Sequence, residues 1–208
     1  MNRVYTQDAE HRHSRIDLET LKICSAGSAA MRTSPFIAAM ALAVAFVPTR
    51  AFGATYVATS PGMDNVNYRI LSAHNSARAE VGAPPLQWDP GLAVAAASYG
   101  PALSRMGRLV HSPRTGRENQ RENLWMGQVG RFHPEEMVGA WTDEKRLFSP
   151  GAFPNVSRTG NWVDVAHYTQ MIWKGTTHVG CALYRDGAWD YLICRYSPPG
   201  NRDGRQVP

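Results

Sequence analysis

Ala166-His167-Tyr168-Thr169-Gln170-Met171-Ile172-Trp173, running on through Lys174-Gly175-Thr176-Thr177-His178-Val179-Gly180 to Cys181, is the stretch that decides the fold. It reads as a short buried helix breaking into a strand, the helix setting the titratable imidazole of His167 among aromatic and apolar neighbours. A buried histidine needs a hydrogen-bond partner or a metal ion; otherwise it stays neutral at a cost of roughly a few kcal/mol. His111, Glu122 and Glu144 each stand in locally apolar sequence and are expected to converge on His167.

Downstream, residues 177–184 and 189–196 are rich in Val, Ile, Leu, Tyr and Trp, and Asp186-Gly187 between them is a turn signal, so a hairpin is expected. A turn centred between Gly187 and Ala188 pairs residues whose numbers add to 375, which sets Cys181 opposite Cys194. A disulfide across that pair closes a loop of about 14 residues, worth roughly 3 kcal/mol in the chain-entropy account. The spacing is not that of a redox motif, which makes a catalytic thiol pair the weaker reading.

Upstream, the first thirty of 208 residues are polar and lack periodicity. Met31-Arg32, the apolar run Phe36 to Val47 and the small-residue sequence Ala51-Phe52-Gly53-Ala54 together read as a secretory signal peptide. The run is shorter than the roughly 20 residues a spanning helix needs. The expected division is 1–30 as an extra extension, 31–53 as the signal peptide, 54–65 as a lead-in and 66–208 as one domain. A genuine N-terminal extension before an internal anchor is the alternative. Export would place the two remaining cysteines in an oxidising extracellular or periplasmic compartment. From residue 54 onward there are 16 Lys and Arg against 13 Asp and Glu, a balance too mild to imply nucleic acid. Only Lys145 and Lys174 are lysines there, and with the Ala-rich leader this suggests a bacterial gene of GC-rich composition.

Val66, Ile70, His74, Ala77 and Val81 recur at helical spacing and stop at Gly82. Leu86 to Pro90 should open a second helix with Asp89 as N-cap, its apolar face Leu92, Ala96, Tyr99, Leu103 and Met106, kinked or split near Gly100 by Pro101. Glu122 to Gly127 reads as a strand. Pro134 opens a third helix whose inward side carries Met137, Val138, Trp141, Glu144 and Phe148. Ser149 to Val163 has no period and suits a lid, a binding loop or disorder, and Ser197 to Asn201 is a turn-forming tail.

On spacing alone His111, Glu122, Glu144 and His167 fit a structural hydrogen-bond network better than a site, because no local motif ties them together. Longer segments add to this. His167 to Trp173 with Gly180-Cys181, and Leu192-Ile193-Cys194-Arg195-Tyr196-Ser197-Pro198-Pro199-Gly200-Asn201, resemble the two signature segments of the CAP superfamily. That superfamily comprises cysteine-rich secretory proteins, insect venom antigens, plant pathogenesis-related proteins and bacterial SCP-domain relatives. His74-Asn75 with Arg78, ahead of Leu86-Gln87-Trp88-Asp89, and Glu122-Asn123-Leu124 resemble its other recurring segments. Ala166 and Gly100-Pro101 depart from the pattern and bear on local helix geometry. The resemblance implies an α+β fold, a three-layer α-β-α sandwich. It also implies a cleft lined by His111, Glu122, Glu144 and His167, in which the two histidines can hold zinc or another divalent cation and the carboxylates form its outer shell.

Two functions follow as expectations. The first is a secreted, non-catalytic binding protein taking a small hydrophobic ligand, a lipid or a sterol-like molecule. The second is a metal-assisted hydrolase or protease with Glu122 or Glu144 as base, which lacks an identifiable third metal ligand. A serine variant using Ser112 is weaker, since strand neighbours point to opposite faces. Arg105, Arg108, Arg114, Arg117 and Arg121 are expected to form a solvated face, with contact to an anionic surface as the functional alternative. His74 is expected to be a packing residue hydrogen-bonded inside, and His178 structural or exposed.

Overall fold

A computed structural model describes residues 65–208. The expected extension, signal peptide and lead-in up to residue 64 lie outside the described residues. Helix α1 spans Asn65–Glu80 and buries Ile70, His74, Ala77 and Arg78, so the expected apolar stripe also carries a cation inward. Gln87–Trp88, expected at the start of the second helix, is instead strand β1, paired in parallel with β4 (His178–Arg185). Gln87 and Asp89 donate their amides to the Thr177 and Val179 carbonyls, and only after them does Asp89 cap a helix. The Asp89 carboxylate accepts from Gly91 N at 2.7 Å and Leu92 N at 3.0 Å, with Pro90 at the first position, where its missing N–H is no loss.

As expected of Pro101, that helix is split, into α2 (Pro90–Ala97) and α3 (Gly100–Met106). Strand β2 is Arg121–Gln128 and α4 is Pro134–Thr142. The third helix is shorter than its apolar pattern suggested, tightening into a 3-10 turn at Asp143–Leu147 that holds Glu144 inward. The segment after it is irregular apart from β3 (Gly151–Ala152) and a 3-10 turn at Trp162–Val165, which runs directly into α5 (Ala166–Ile172). Strands β4 and β5 (Trp189–Ser197) form the hairpin, and the tail adds β6 (Gln206–Val207), paired with β3.

The main sheet has the order β1-β4-β5-β2. Its hairpin register pairs Cys181 with Cys194, as the turn arithmetic requires, and the two are bonded with their Cα atoms 4.1 Å apart. On one face Trp125, Val179, Cys181, Leu192, Cys194 and Tyr196 pack against Ile70 of α1, Met137 and Trp141 of α4 and Met171 of α5. On the other, Leu124, Tyr191 and Ile193 meet Ala96 and Leu103 of α2 and α3. Helices thus cover both faces, giving the three-layer α-β-α sandwich. A third cluster, including Phe148, Phe153, Val165, Tyr168, Ile172, Trp173 and Val207, fastens the long loop and the tail to α5.

The α2 layer sits very close to β4. A side chain at Gly180 would run into the backbone of Asp89 and Ala93 and the Cβ of Leu92. Gly180→Ala should therefore lower stability by roughly 2 kcal/mol, since backbone and not a flexible side chain must give way. Chemical denaturation of the two proteins measures this. A change under about 0.5 kcal/mol would show that α2 is free to lift.

Candidate metal and ligand site

Glu122 and Asn123 are consecutive residues at the start of β2, so their side chains leave opposite faces of the sheet. β2 is an edge strand of the main sheet, and it is met by His111 from the segment before it and by His167 from α5. Glu122 is buried on the α2–α3 side. Its Oε1 accepts from His111 Nδ1 at 2.9 Å and from Ser112 N at 3.0 Å, and its Oε2 accepts from Ser112 Oγ at 2.8 Å. Burial alone would push this carboxyl up. The hydrogen bond and charge of His111, the Ser112 amide and nearby Arg117 outweigh it and hold the group below the ordinary carboxylate range.

On the helical side, Glu144 Oε1 accepts from His167 Nδ1 at 2.6 Å. Its Oε2 takes the backbone amides of His167 and Tyr168, both at 3.0 Å, so one carboxylate orients the ring and caps the buried start of α5. Trp141 lies nearly parallel to the His167 ring, with 13° between planes and 5.9 Å between centroids.

The structure therefore forms two His–Glu pairs. Of the three groups expected around His167 only Glu144 bonds it directly, while His111 and Glu122 bond each other. Asn123 links the pairs, its amide donating to the His167 carbonyl and to the Tyr196 hydroxyl, each at 3.1 Å. Tyr196 in turn faces His74 Nε2 at 2.8 Å, and His74 Nδ1 donates to the Ile70 carbonyl at 2.8 Å, so His74 is the internal packing residue expected. His178 is half-buried with Nδ1 on Thr177 Oγ1.

Because a carboxylate only accepts, both site histidines donate from Nδ1 to their glutamate, which leaves Nε2 of each ring outside the pair. That is the arrangement in which an outer carboxylate sets the tautomer of a metal-binding imidazole. The chemistry of the donors thus fits a divalent cation taken by His111 and His167. Among the described residues no group of three or more His, Cys, Asp and Glu side chains is placed to share one ion, so these two nitrogens would be completed by water.

Two expectations change. Ser112 reaches the same carboxylate as His111 because residues 109–113 form no strand, and its hydroxyl is spent on Glu122 rather than offered to an imidazole. Arg117 is buried, not part of a solvated face, with Nε and Nη2 both donating to the Ser112 carbonyl at 3.0 and 2.6 Å. Arg105, Arg108 and Arg114 are exposed and Arg121 is half-buried. Sequence reasoning also missed Arg195, whose Nη2 donates to Ser112 Oγ at 3.2 Å and whose Nε lies 3.5 Å from Glu122 Oε2. Its signal lay in register: Arg195 stands directly across from Glu122 in the β2–β5 ladder.

The sequence profile of the cysteine-rich secretory protein family (CAP) matches residues 71–196. The chain belongs to this family. It is 37% identical over 142 residues to a pathogenesis-related protein of the PR-1 type from Sambucus nigra, covering 65% of this chain and 78% of that one. It is 35% identical over 150 residues to pathogenesis-related protein 1B of Nicotiana tabacum, covering 72% and 84%. Its fold is shared by crystal structures of NaASP2 with Zn2+, at a TM-score of 0.60 and 22% identity over 72% of this chain and 88% of the other, and of BmVAL-1, at 0.59 and 22% over 72% and 86%. Among the described residues no helix is long and apolar enough to cross a membrane.

Proposed function

We propose that this is an exported binding protein whose His111 and His167 hold zinc or another divalent cation through Nε2, with Glu122 and Glu144 fixing the rings. The observation that carries this reading is the pair of Nδ1-to-carboxylate hydrogen bonds, at 2.9 and 2.6 Å, which fix each ring and leave its Nε2 outside the pair. The solved likeness of NaASP2, crystallised with Zn2+, supports it as precedent for the fold. Export is supported by the apolar run 36–47 with Ala51-Phe52-Gly53-Ala54, and by the Cys181–Cys194 disulfide. The ligand of the cleft is a small hydrophobic molecule, lipid or sterol-like, as the family resemblance implies.

The hydrolase reading needs a carboxylate free to act as base. Each of Glu122 and Glu144 already accepts three hydrogen bonds, and Glu122 is held below the usual range, which favours orientation over proton abstraction.

Calorimetric zinc titration at pH 7.5 tests the proposal. His111→Ala and His167→Ala should each weaken zinc by tenfold or more. Glu144→Ala should chiefly lower stability, by roughly 2 to 3 kcal/mol, because two helix-start amides and an imidazole lose their acceptor together. Wild type without saturable zinc binding, alongside variants that are merely less stable, would make the four residues a structural network. Native mass spectrometry of protein recovered from its own secretion reads any retained lipid.

A further inference from the structure

At the end of the sheet away from His111, three pieces of chain are tied into one tip. Asp186 closes the β4–β5 turn: its Oδ1 accepts the amides of Ala188 and Trp189 at 2.8 and 2.7 Å, and its Oδ2 accepts from Ser104 Oγ of α3 at 2.9 Å. The Val129 amide donates to the Ala188 carbonyl at 3.0 Å and the Arg131 amide to that of Gln128 at 3.2 Å, so the turn after β2 joins the same end. Trp189 is 41% exposed and Met106, at the last position of α3, 38%. Trp189 shares the face of Tyr191 and Ile193, which α2 and α3 cover, and it opens to water at the start of β5.

The charges of this end fall into two kinds. Arg185 is spent on the buried Asp190, with Nε and Nη2 at 2.6 and 2.9 Å, and Arg69 Nη2 donates to Glu135 at 2.6 Å. Of the remaining carboxylates, Asp186 is occupied as above and Glu136 Oε2 accepts the His133 amide at 2.6 Å. Arg105 and Arg108, which flank Met106, and Arg131 are exposed, and among the described residues none of the three has an ion pair or a side-chain hydrogen bond. Two apolar side chains thus stand in water among three cations whose donors are open, while the carboxylates are engaged from within. The Ala188, Trp189, Val129 and Gly130 amides are already bonded inside the tip, so it can enter a headgroup layer without stranding those donors. Tryptophan favours that depth, and arginine is drawn to lipid phosphates there.

We propose that this tip is a docking surface for an anionic phospholipid membrane, with Trp189 and Met106 entering the headgroup layer and Arg105, Arg108 and Arg131 meeting its phosphates. Glu122 lies at the cleft end of β2 and Gln128 pairs with Trp189 at the other, about 20 Å away along the strand. Docking therefore stands apart from the zinc reading of the cleft, which it leaves facing away from the membrane.

The test uses the exported protein and vesicles of phosphatidylcholine with and without phosphatidylglycerol, read by cosedimentation. Binding should be severalfold tighter to the anionic vesicles and should weaken as salt is raised. Trp189→Ala, and the pair Arg105→Gln with Arg131→Gln, should each weaken it about tenfold. Tyr68→Ala removes an aromatic residue that is more exposed still, on α1, and should change it less than twofold. Should Trp189→Ala fail to fold, the arginine pair, both on the surface, decides. Equal affinity for neutral and anionic vesicles, or full binding by the arginine pair, overturns the proposal. So does binding to neither vesicle, which would give the tip to a protein partner. His111→Ala should dock as wild type does, so zinc binding lost with docking intact counts against the cleft reading alone, and docking lost with zinc binding intact against the tip alone.

Discussion

Arg78→Ala should lower the stability of the folded domain by roughly 4 kcal/mol, near the upper end of single-substitution effects. Arg78 is fully buried, and its guanidinium donates from Nε to the Pro84 carbonyl at 2.6 Å, from Nη1 to those of Met171 and Trp173 at 2.8 and 2.9 Å, and from Nη2 to that of Thr176 at 3.0 Å. Its partners are carbonyls, those of Met171 and Trp173 lying at the negative end of α5. One planar fork from α1 therefore ties down the connector at Pro84, the end of the helix that carries His167, and the turn leading into β4. Burial lowers its pKa to about 10, which still leaves it charged at neutral pH. Removing it strands the carbonyls of Pro84, Met171 and Thr176, each worth roughly 1 kcal/mol or more when left unpaired, while that of Trp173 keeps the Thr176 amide. Arg78→Lys should recover less than half of the loss, because a single ammonium cannot reach carbonyls spread across the fork. Urea unfolding measures all three proteins. A loss under about 1 kcal/mol in Arg78→Ala would mean that water replaces the fork, contrary to the packing described.

Acidification should destabilise the protein by about 3 kcal/mol through His74 alone. Burial pushes its pKa down to about 4, with Arg78 acting the same way and the Ile70 carbonyl opposing. The unfolded imidazole titrates near about 6.5. Between these values the unfolded chain binds a proton that the native one refuses, so stability is highest above pH 6.5, falls on acidification, and levels off below about pH 4 as far as this group is concerned. At roughly 1.4 kcal/mol per pH unit the window amounts to about 3 kcal/mol. His74→Gln retains a donor for Ile70 and an acceptor for Tyr196 but has no proton to gain. Comparing unfolding free energies at pH 7 and pH 4, wild type should lose about 3 kcal/mol more than the variant. Equal losses would assign the acid sensitivity to other groups.

How much could be read beforehand depended on the range of the interaction. The hairpin and its disulfide were legible because period-two patterning and an Asp-Gly turn are local and the register follows from the turn position. The split at Pro101, the cap at Asp89 and the inward Glu144 were legible for the same reason. The β1 strand was not: two residues carry no period, and Gln87–Trp88 extends only because β4 offers it a parallel edge. The third helix was over-extended because an apolar stripe is shared by α-helical and 3-10 turns.

The site shows the same division. All four titratable residues were visible as polar groups in apolar sequence, yet their pairing was not. The sequence by itself determined the family, the layers' apolar faces, the cysteine pairing and the identity of the two histidines and two glutamates. Only the tertiary structure decided that His111 belongs to Glu122 and His167 to Glu144, that Arg117 turns inward, and that Arg195 joins the site from across the ladder. The reason is physical. Local patterns specify which face of an element is buried, whereas a buried hydrogen bond is chosen among all donors brought within about 3 Å, and that set exists only once β2, β5 and α5 have met.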